Sequence, residues 1–228
     1  MIKSFLSEQD IADMAAFLDN PPMTLIAAMK CDGYLLLSAD SEGADDTNLK
    51  RTISKLYNLP DYPMAWGASG SYALGEEFSE WLLANAKHHN QSWEKLRNAA
   101  IEQLSTINGR RRKNMELAGE LPSGPERGDF LCSVLIAGYI DNKPEILDLG
   151  FDGTDMFILK GLDKFWALGN CRFVARVIYW TLREFKLPLT YDHTGIKTIM
   201  NATLITGKNV GHPVHTLKIT PTGAPAQI

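Results

Sequence analysis

The chain has 228 residues, of which 45% are hydrophobic and 22% are charged, and its formal net charge is −4. This length allows one large domain or two small ones with a substantial core, and the net negative charge argues against a nucleic acid partner. No apolar run approaches the about 18 residues that a membrane span requires, and the N-terminus lacks a signal-peptide pattern, so no membrane partner is expected.

The cysteines are few and far apart in the sequence. Cys31, Cys132 and Cys171 do not have the spacing of a disulfide framework or of a cysteine-based zinc site. They fit a reducing compartment. We therefore expect a cytoplasmic protein that needs no metal or other cofactor.

The first 22 residues are predicted to form a helix or leader outside the main domain. Residues 7–19 have the spacing of an amphipathic helix, with Ser7 as its cap and Ile11, Met14 and Leu18 on one face. The segment Asn20-Pro21-Pro22 is predicted to stop this helix.

Residues 23–42 are predicted to form a β-hairpin. Apolar runs of strand length flank the short segment Cys31-Asp32-Gly33, which has the composition of a turn. Thr24 opens the first strand and Asp40 closes the second. A hairpin of this length brings the hydroxyl of Thr24 near the carboxylate of Asp40.

The next part of the chain is predicted to change from strands to helices. A polar loop follows from Gly43, and residues 64–71 consist of a short apolar strand that runs into a loop of small residues. Residues 72–88 and 91–106 have apolar side chains at helical spacing. The segment between Asn108 and Asp129 is predicted to be a flexible connection with room for another helical turn, and its basic run, residues 110–113, is predicted to be a solvated loop.

The second half repeats this order of strands followed by helices. Strands are predicted over residues 130–140, 145–149, 155–159 and 164–168, helices over residues 170–185 and 194–206, and a last strand over residues 213–220. Such an order favours an α+β fold of packed sheets covered by helices over alternating β-α-β winding. We expect one domain over residues 23–220, followed by a flexible tail over residues 221–228.

Four segments in this order resemble the proteasome and HslV branch of the N-terminal nucleophile hydrolases. They are the hairpin of residues 24–41 with its Ala-Asp-Ser close, Ile53-Ser-Lys-Leu56 with Gly67-Ala-Ser-Gly70, Ala167-Leu-Gly-Asn170, and Val210-Gly-His-Pro-Val214. No single segment is highly specific, but their order and spacing are. The resemblance implies a divergent, bacterial-type member with a four-layer α-β-β-α sandwich, two mainly antiparallel sheets between layers of helices.

The same resemblance implies three catalytic residues. Thr24 falls on the position of the nucleophile, Asp40 on that of the acid, and Lys55 most plausibly on that of the lysine. In this chemistry the α-amine of an N-terminal threonine, with a pKa of about 8, accepts the proton of its own hydroxyl. The oxyanion of the substrate would bind backbone N–H groups of the small-residue segment, which consists of Gly67, Ala68, Ser69 and Gly70.

The chain departs from this family at several supporting positions. The serine of the turn that opens the first helix of the second half falls on Leu168, and two polar residues expected before the last strand fall near Gly207 and Val210. Met23 replaces the glycine that usually precedes the threonine. Initiation at Met23 followed by removal of that methionine would expose Thr24, whereas a chain that retains Met23 has no free amine at this position.

Other candidate sites receive little support. His212 and His215 lie three apart on a predicted strand and point to opposite faces, so they make a poor metal pair. Tyr191-Asp192-His193 has no accompanying nucleophile motif, and the small-residue segment after residue 66 lacks the lysine of a phosphate-binding loop.

Two functions therefore remain open. The first is a threonine-type peptidase or amide hydrolase that acts in a ring or double ring of identical subunits once Thr24 is N-terminal. The second is a non-catalytic ring subunit with an assembly or binding role, similar to proteasomal α subunits, which also have a helix before the first strand. The substrate, the ring size and any ATPase or other regulator cannot be identified from these residues.

Overall fold

The computed structural model describes the domain that follows the predicted N-terminal helix. It describes residues 24–44, 50–89, 92–120, 131–151, 156–160, 164–169, 172–206 and 213–228. The predicted helix over residues 7–19, the junction residue Met23, and Gly207, Val210 and His212 lie outside these ranges. Among the described helices, none is both long and apolar enough to cross a membrane.

Two antiparallel sheets make up the centre of the described structure. The first is five-stranded, in the spatial order β10 (Phe165–Leu168), β1 (Ile26–Lys30), β2 (Leu35–Asp40), β11 (Val214–Ile219) and β12 (Ala226–Gln227). The second is also five-stranded, in the order β5 (Leu56–Asn58), β6 (Met64–Gly70), β7 (Cys132–Ile140), β8 (Lys143–Phe151) and β9 (Met156–Lys160).

The helices cover the outer face of each sheet. In the described chain they are α1 (Tyr72–His89), α2 (Trp93–Ala118), α3 (Arg172–Glu184) and α4 (His193–Thr206). One hydrophobic cluster joins α1 and α2 to the second sheet, and another joins α3 and α4 to the first sheet. A third cluster fills the space between the sheets. This is the predicted α-β-β-α sandwich, and the fold prediction is confirmed.

The predicted opening hairpin is present in the structure. Ile26 pairs with Ala39 and Lys30 with Leu35, and the Cys31 N–H donates to Tyr34 O across the turn at 2.9 Å. The side chains of both strands are almost completely buried because one face packs on helices and the other on the second sheet. The burial on both faces explains why the two strands have continuous apolar runs instead of alternating sequences.

Helix α2 extends well beyond the predicted end at residue 106. It begins after the cap Ser92, whose hydroxyl accepts from Lys95 N, and ends at Gly119 in the left-handed region with φ 69°. Its interior residue Asn108 is buried and hydrogen-bonds both the N–H and the C=O of Cys132, each at 2.8 Å. The prediction of a basic loop was wrong, because residues 110–113 continue the helix.

Two further segments differ from the sequence-based expectations. The polar loop predicted from Gly43 begins within a strand, β3 (Glu42–Ala44), which pairs with β4 (Lys50–Thr52) in a small two-stranded sheet. The expected flexible tail contains β12, in which Ala226 pairs with Lys218 on β11. All three strands were missed because short strands of this kind have no periodic apolar signal, and only their pairing partners define them.

Candidate active site

Thr24, Asp40 and Lys55 meet at one end of the first sheet. Asp40 is the last residue of β2, where its N–H donates to Leu25 O at 3.0 Å and its Oδ1 accepts from Leu25 N at 2.8 Å. Lys55 Nζ donates to Asp40 Oδ1 at 2.9 Å and to Asp40 Oδ2 at 2.8 Å. The same ammonium group donates to Thr24 Oγ1 at 3.3 Å. Lys55 therefore contacts both Thr24 and Asp40 and brings the three residues singled out in the sequence together.

The ion pair between Lys55 and Asp40 is buried. The Asp40 side chain is 0% exposed and the Lys55 side chain is 5% exposed. Both carboxylate oxygens accept from the ammonium, which offsets the cost of removing these two charges from water. An ammonium that donates to a carboxylate has no lone pair to accept a proton. Lys55 can thus orient the Thr24 hydroxyl and stabilise negative charge on it, but a general base must come from elsewhere.

The small β3 and β4 sheet brings Lys55 back to Asp40. Glu42 pairs with Thr52 across this sheet, and the Ile53 N–H donates to Ser41 O at 2.8 Å. The residue after Asp40 is thereby tied to a residue two positions before Lys55. The chain between the two charged residues folds back on itself, which is how residues 15 positions apart form a direct contact.

The segment of Gly67, Ala68, Ser69 and Gly70 is not a loop, as expected, but the end of strand β6. All four residues pair with β7, from Gly67 opposite Leu135 to Gly70 opposite Cys132. The expected loop is thus corrected to a strand, because the pairing of β6 with β7 continues past the last apolar residue of β6. Small side chains are needed here for close packing, since a Cβ at Gly67 would lie 2.9 Å from Ile26 Cγ2 on the other sheet.

The ladder leaves two N–H groups of this segment on the edge next to Lys55. The Ser71 N–H donates to Leu131 O and therefore points towards the β7 side. The N–H groups of successive residues in an antiparallel strand point alternately to the two neighbouring strands, so those of Ala68 and Gly70 point away from β7. On that side β5 begins only at Leu56, which pairs with Gly67. The N–H groups of Ala68 and Gly70 therefore lie beyond the start of β5, beside the residue that precedes it, Lys55.

Gly169 closes the site from the side of β10. Its φ of 94° lies in the left-handed region, and a Cβ on this residue would be 2.4 Å from Thr24 O and 3.3 Å from Ser69 Oγ. Only glycine fits here without moving the backbone of Thr24. The neighbouring Leu168, at the position where the resemblance implies a serine, is 1% exposed and belongs to the cluster between the sheets. Its side chain contributes apolar packing and no hydrogen bond.

The other candidate residues that the structure describes form no second site. Asp192 caps α4 and accepts from Thr190 Oγ1 at 2.7 Å and from Gly195 N at 3.0 Å. These two bonds hold the pKa of its carboxyl below the ordinary value. His193 Nε2 is buried without a hydrogen-bond partner in the described structure, so it is not part of a triad. His215 Nδ1 lies 3.2 Å from Gln227 Nε2.

Neither described cysteine is suited to act as a nucleophile. Burial raises the pKa of the Cys132 thiol to about 12 and that of the Cys31 thiol to about 11. A thiol with such a pKa is protonated near neutral pH and reacts slowly. Within the described ranges, no three His, Cys, Asp or Glu side chains come together in a way that could hold a metal ion.

Comparisons with known proteins agree with this fold. One similar solved structure is Anbu (ancestral beta-subunit) from Yersinia bercovieri, with a TM-score of 0.66 and 15% sequence identity; the match covers 90% of this chain and 87% of that one. Another is the Anbu complex from Pseudomonas aeruginosa, described as a helical assembly, with a TM-score of 0.67 and 17% sequence identity; the match covers 90% of this chain and 86% of that one.

Sequence comparison gives the family. No curated protein sequence matches the chain. The model of one family, described as proteasome subunit, matches residues 24–176, which is more than half of the chain and begins at Thr24. The predicted resemblance is confirmed, and this chain belongs to the proteasome subunit family.

Proposed function

We propose that this protein is a threonine-type peptidase or amide hydrolase that uses Thr24 Oγ1 as its nucleophile once Thr24 is the first residue. The observation that carries the proposal is the contact of Thr24 Oγ1 with Lys55 Nζ at 3.3 Å, where Lys55 is itself held by both oxygens of the buried Asp40 carboxylate. A structural threonine at the start of a strand needs no such buried pair beside its hydroxyl.

The proposed reaction is an acyl transfer to Thr24. The neutral α-amine of Thr24 accepts the hydroxyl proton while Oγ1 bonds to the carbonyl carbon of the substrate. The positive charge of Lys55 stabilises the negative charge that develops on Oγ1, and Asp40 holds Lys55 in position. Collapse of the tetrahedral intermediate releases the amine product with a proton from the α-ammonium group, and water then hydrolyses the ester on Oγ1.

The N–H groups of Ala68 and Gly70 are the proposed donors to the substrate oxyanion. They lie on the edge of β6 that does not pair with β7, beside Lys55. Backbone donors in a strand are rigid, so they would stabilise the developing charge without rearranging. We propose the same segment, Gly67 to Gly70, as the substrate-binding edge.

Exposure of Thr24 is the condition for this chemistry. While Met23 is attached, the Thr24 nitrogen is an amide and cannot accept a proton. Initiation at Met23 and removal of that methionine would supply the amine in the cytoplasm. The proposed active form is a ring or double ring of identical subunits, which is supported by membership of the proteasome subunit family.

The test combines the N-terminus of the native protein with the activity of matched variants. Intact mass and N-terminal sequencing of protein from its native host should show chains that begin at Thr24. Hydrolysis of small peptide amides by that form should be lost in Thr24→Ala and retained in part in Thr24→Ser, which keeps a hydroxyl. Thr52→Ala, at an exposed threonine of β4, is the control and should retain full activity.

Unchanged turnover in Thr24→Ala, with the same circular dichroism spectrum as the parent protein, would remove Thr24 from the mechanism. The second candidate is a non-catalytic ring subunit, and Leu168 favours it, because a buried leucine stands where the family has a serine. Retention of residues 1–23 in every native molecule, together with no hydrolysis, would establish that candidate instead.

A further inference from the structure

Ser41 carries a buried hydroxyl that the mechanism above does not use. The residue directly follows Asp40 and is 1% exposed, yet its Oγ has no hydrogen-bond partner in the described part of the protein. Other buried hydroxyls of the described structure are satisfied: Ser38 Oγ lies 2.9 Å from Thr216 Oγ1, and Ser79 Oγ accepts from Trp66 Nε1 at 2.8 Å. Native structures rarely bury a polar group without a partner, and such groups concentrate where function requires them.

The strand register makes Ser41 the direct neighbour of Thr24. Ile26 pairs with Ala39, and the bond from Asp40 N to Leu25 O continues this register towards the start of the chain. The return bond from Leu25 N goes to the Asp40 side chain, so the regular ladder ends at this pair. Continuing the register by one residue sets Thr24 opposite Ser41 at a non-hydrogen-bonded position, where cross-strand side chains approach most closely and share one face.

That shared face is the one directed at the second sheet. Ile26 and Ala39, which lie on it, belong to the cluster between the sheets. The backbone of Ser41 is held by the bond from Ile53 N to Ser41 O, so the position of Oγ depends mainly on rotation about one side-chain bond. The Thr24 hydroxyl oxygen accepts from Lys55 Nζ and has a second lone pair available for another donor.

We propose that Ser41 is a further catalytic residue, whose hydroxyl donates a hydrogen bond to Thr24 Oγ1 as that oxygen loses its proton. This inference rests on the proposed function. In the acylation step the Thr24 proton moves to its own α-amine, Oγ1 bonds to the substrate carbon, and the carbonyl π electrons move to the substrate oxygen. Ser41 keeps its proton throughout and supplies the second donor to Oγ1, opposite Lys55.

The test uses Ser41→Ala and Ser41→Thr in protein whose first residue is Thr24. Ser41→Ala should lower kcat about 10- to 100-fold with KM nearly unchanged, as expected for loss of one hydrogen bond to a group that becomes charged in the transition state. Ser41→Thr retains the hydroxyl and should restore most of the rate. The thermal midpoint of Ser41→Ala should be no lower than that of the parent, because the hydroxyl removed has no partner.

Acylation of Thr24 by a peptidyl β-lactone, followed by intact mass, separates this inference from the proposed function. Failure of the parent protein to react would overturn both. Acylation of the parent and of Ser41→Ala at equal rates would overturn only the role of Ser41. A lower thermal midpoint of Ser41→Ala together with an unchanged acylation rate would also overturn that role. If Ser41→Ala does not fold, Ser41→Cys takes its place, since a thiol is a weak donor, and a parent-like rate in that variant would also overturn the role.

Discussion

At the residue scale, the buried charges of this protein are not equivalent. Asp40 has both carboxylate oxygens bonded to Lys55. Asp148 on β8 is 2% exposed and accepts from Trp166 Nε1 at 2.7 Å through Oδ2, whereas its Oδ1 has no hydrogen-bond partner within the described ranges. Burial raises the pKa of the Asp148 carboxyl from 3.8 to about 6. Asp148 lies between the sheets as a bridge from β8 to β10.

This pKa predicts how Asp148 affects stability. The folded state holds the Asp148 proton up to a higher pH than the unfolded state does. The contribution of Asp148 to the free energy of unfolding therefore falls as pH rises from about 4 to about 6. Asp148→Asn cannot ionise and keeps an acceptor for Trp166. It should increase the free energy of unfolding near neutral pH by about 1–3 kcal/mol, with a smaller gain near pH 4.

Urea unfolding at several pH values measures this effect. Asp141→Asn, at an exposed turn residue between β7 and β8, is the control and should change the free energy of unfolding by less than about 0.5 kcal/mol. The opposite result, an Asp148→Asn protein that is less stable near neutral pH, would mean that the charge of Asp148 is compensated by Arg172 and Arg176, which act on the carboxyl in the opposite direction to burial.

At the element scale, the connection from β10 to α3 constrains the start of β1. Gly169 has φ 94°, and the Cβ of any other residue would lie 2.4 Å from Thr24 O. Its carbonyl accepts from Arg172 N at the beginning of α3, so the turn is also held by the helix. The position of the Thr24 backbone therefore depends on a turn about 145 residues later in the chain.

Gly169→Ala should destabilise the protein through both strain and a clash. Gly33 is a matched control because its φ is also positive, at 79°, while a Cβ there meets no atom within 4 Å. Gly33→Ala should cost about 1–2 kcal/mol, from the left-handed backbone alone. Gly169→Ala should cost about 1–3 kcal/mol more, because the Thr24 backbone must move. Equal costs in chemical denaturation would show that Thr24 adapts freely to the turn.

At the scale of the whole molecule, the two helix layers end in exposed apolar side chains. Phe185, after the end of α3, is 74% exposed, and Ile205 near the end of α4 is 84% exposed. Leu117, near the end of α2, is 78% exposed. Large apolar side chains in such positions are candidates for contacts between subunits, in line with the proposed self-association.

Sedimentation or native mass spectrometry tests this assembly. The protein should have a mass several times that of one chain, which is 25.3 kDa when all 228 residues are present. Phe185→Ser should shift the distribution towards smaller species, because it removes apolar area from the contact. Glu184→Ser, at the exposed neighbouring residue, should leave the distribution unchanged. A monomer at all concentrations would contradict the proposed ring, and equal masses for both variants would exclude Phe185 from the contact.

Elements with a local signal could be predicted from the amino-acid order alone. Continuous apolar runs around a glycine turn predicted β1 and β2, and helical spacing of apolar residues predicted α1, α3 and α4 to within a few positions. The order of four short segments was enough to predict the family and the sandwich. It also singled out Thr24, Asp40 and Lys55, although nothing in the local pattern required the last of these to lie near the other two.

Features that depend on partners far away in the chain could be identified only in the folded protein. Lys55 reaches Asp40 because β3 and β4 pair, and neither strand has a recognisable pattern of its own. Helix α2 continues through Asn108 because Cys132 satisfies that amide, and Leu168 is core because it faces the second sheet. Local propensity contributes little free energy at such positions, so pairing and burial against residues far away in the chain determine the outcome.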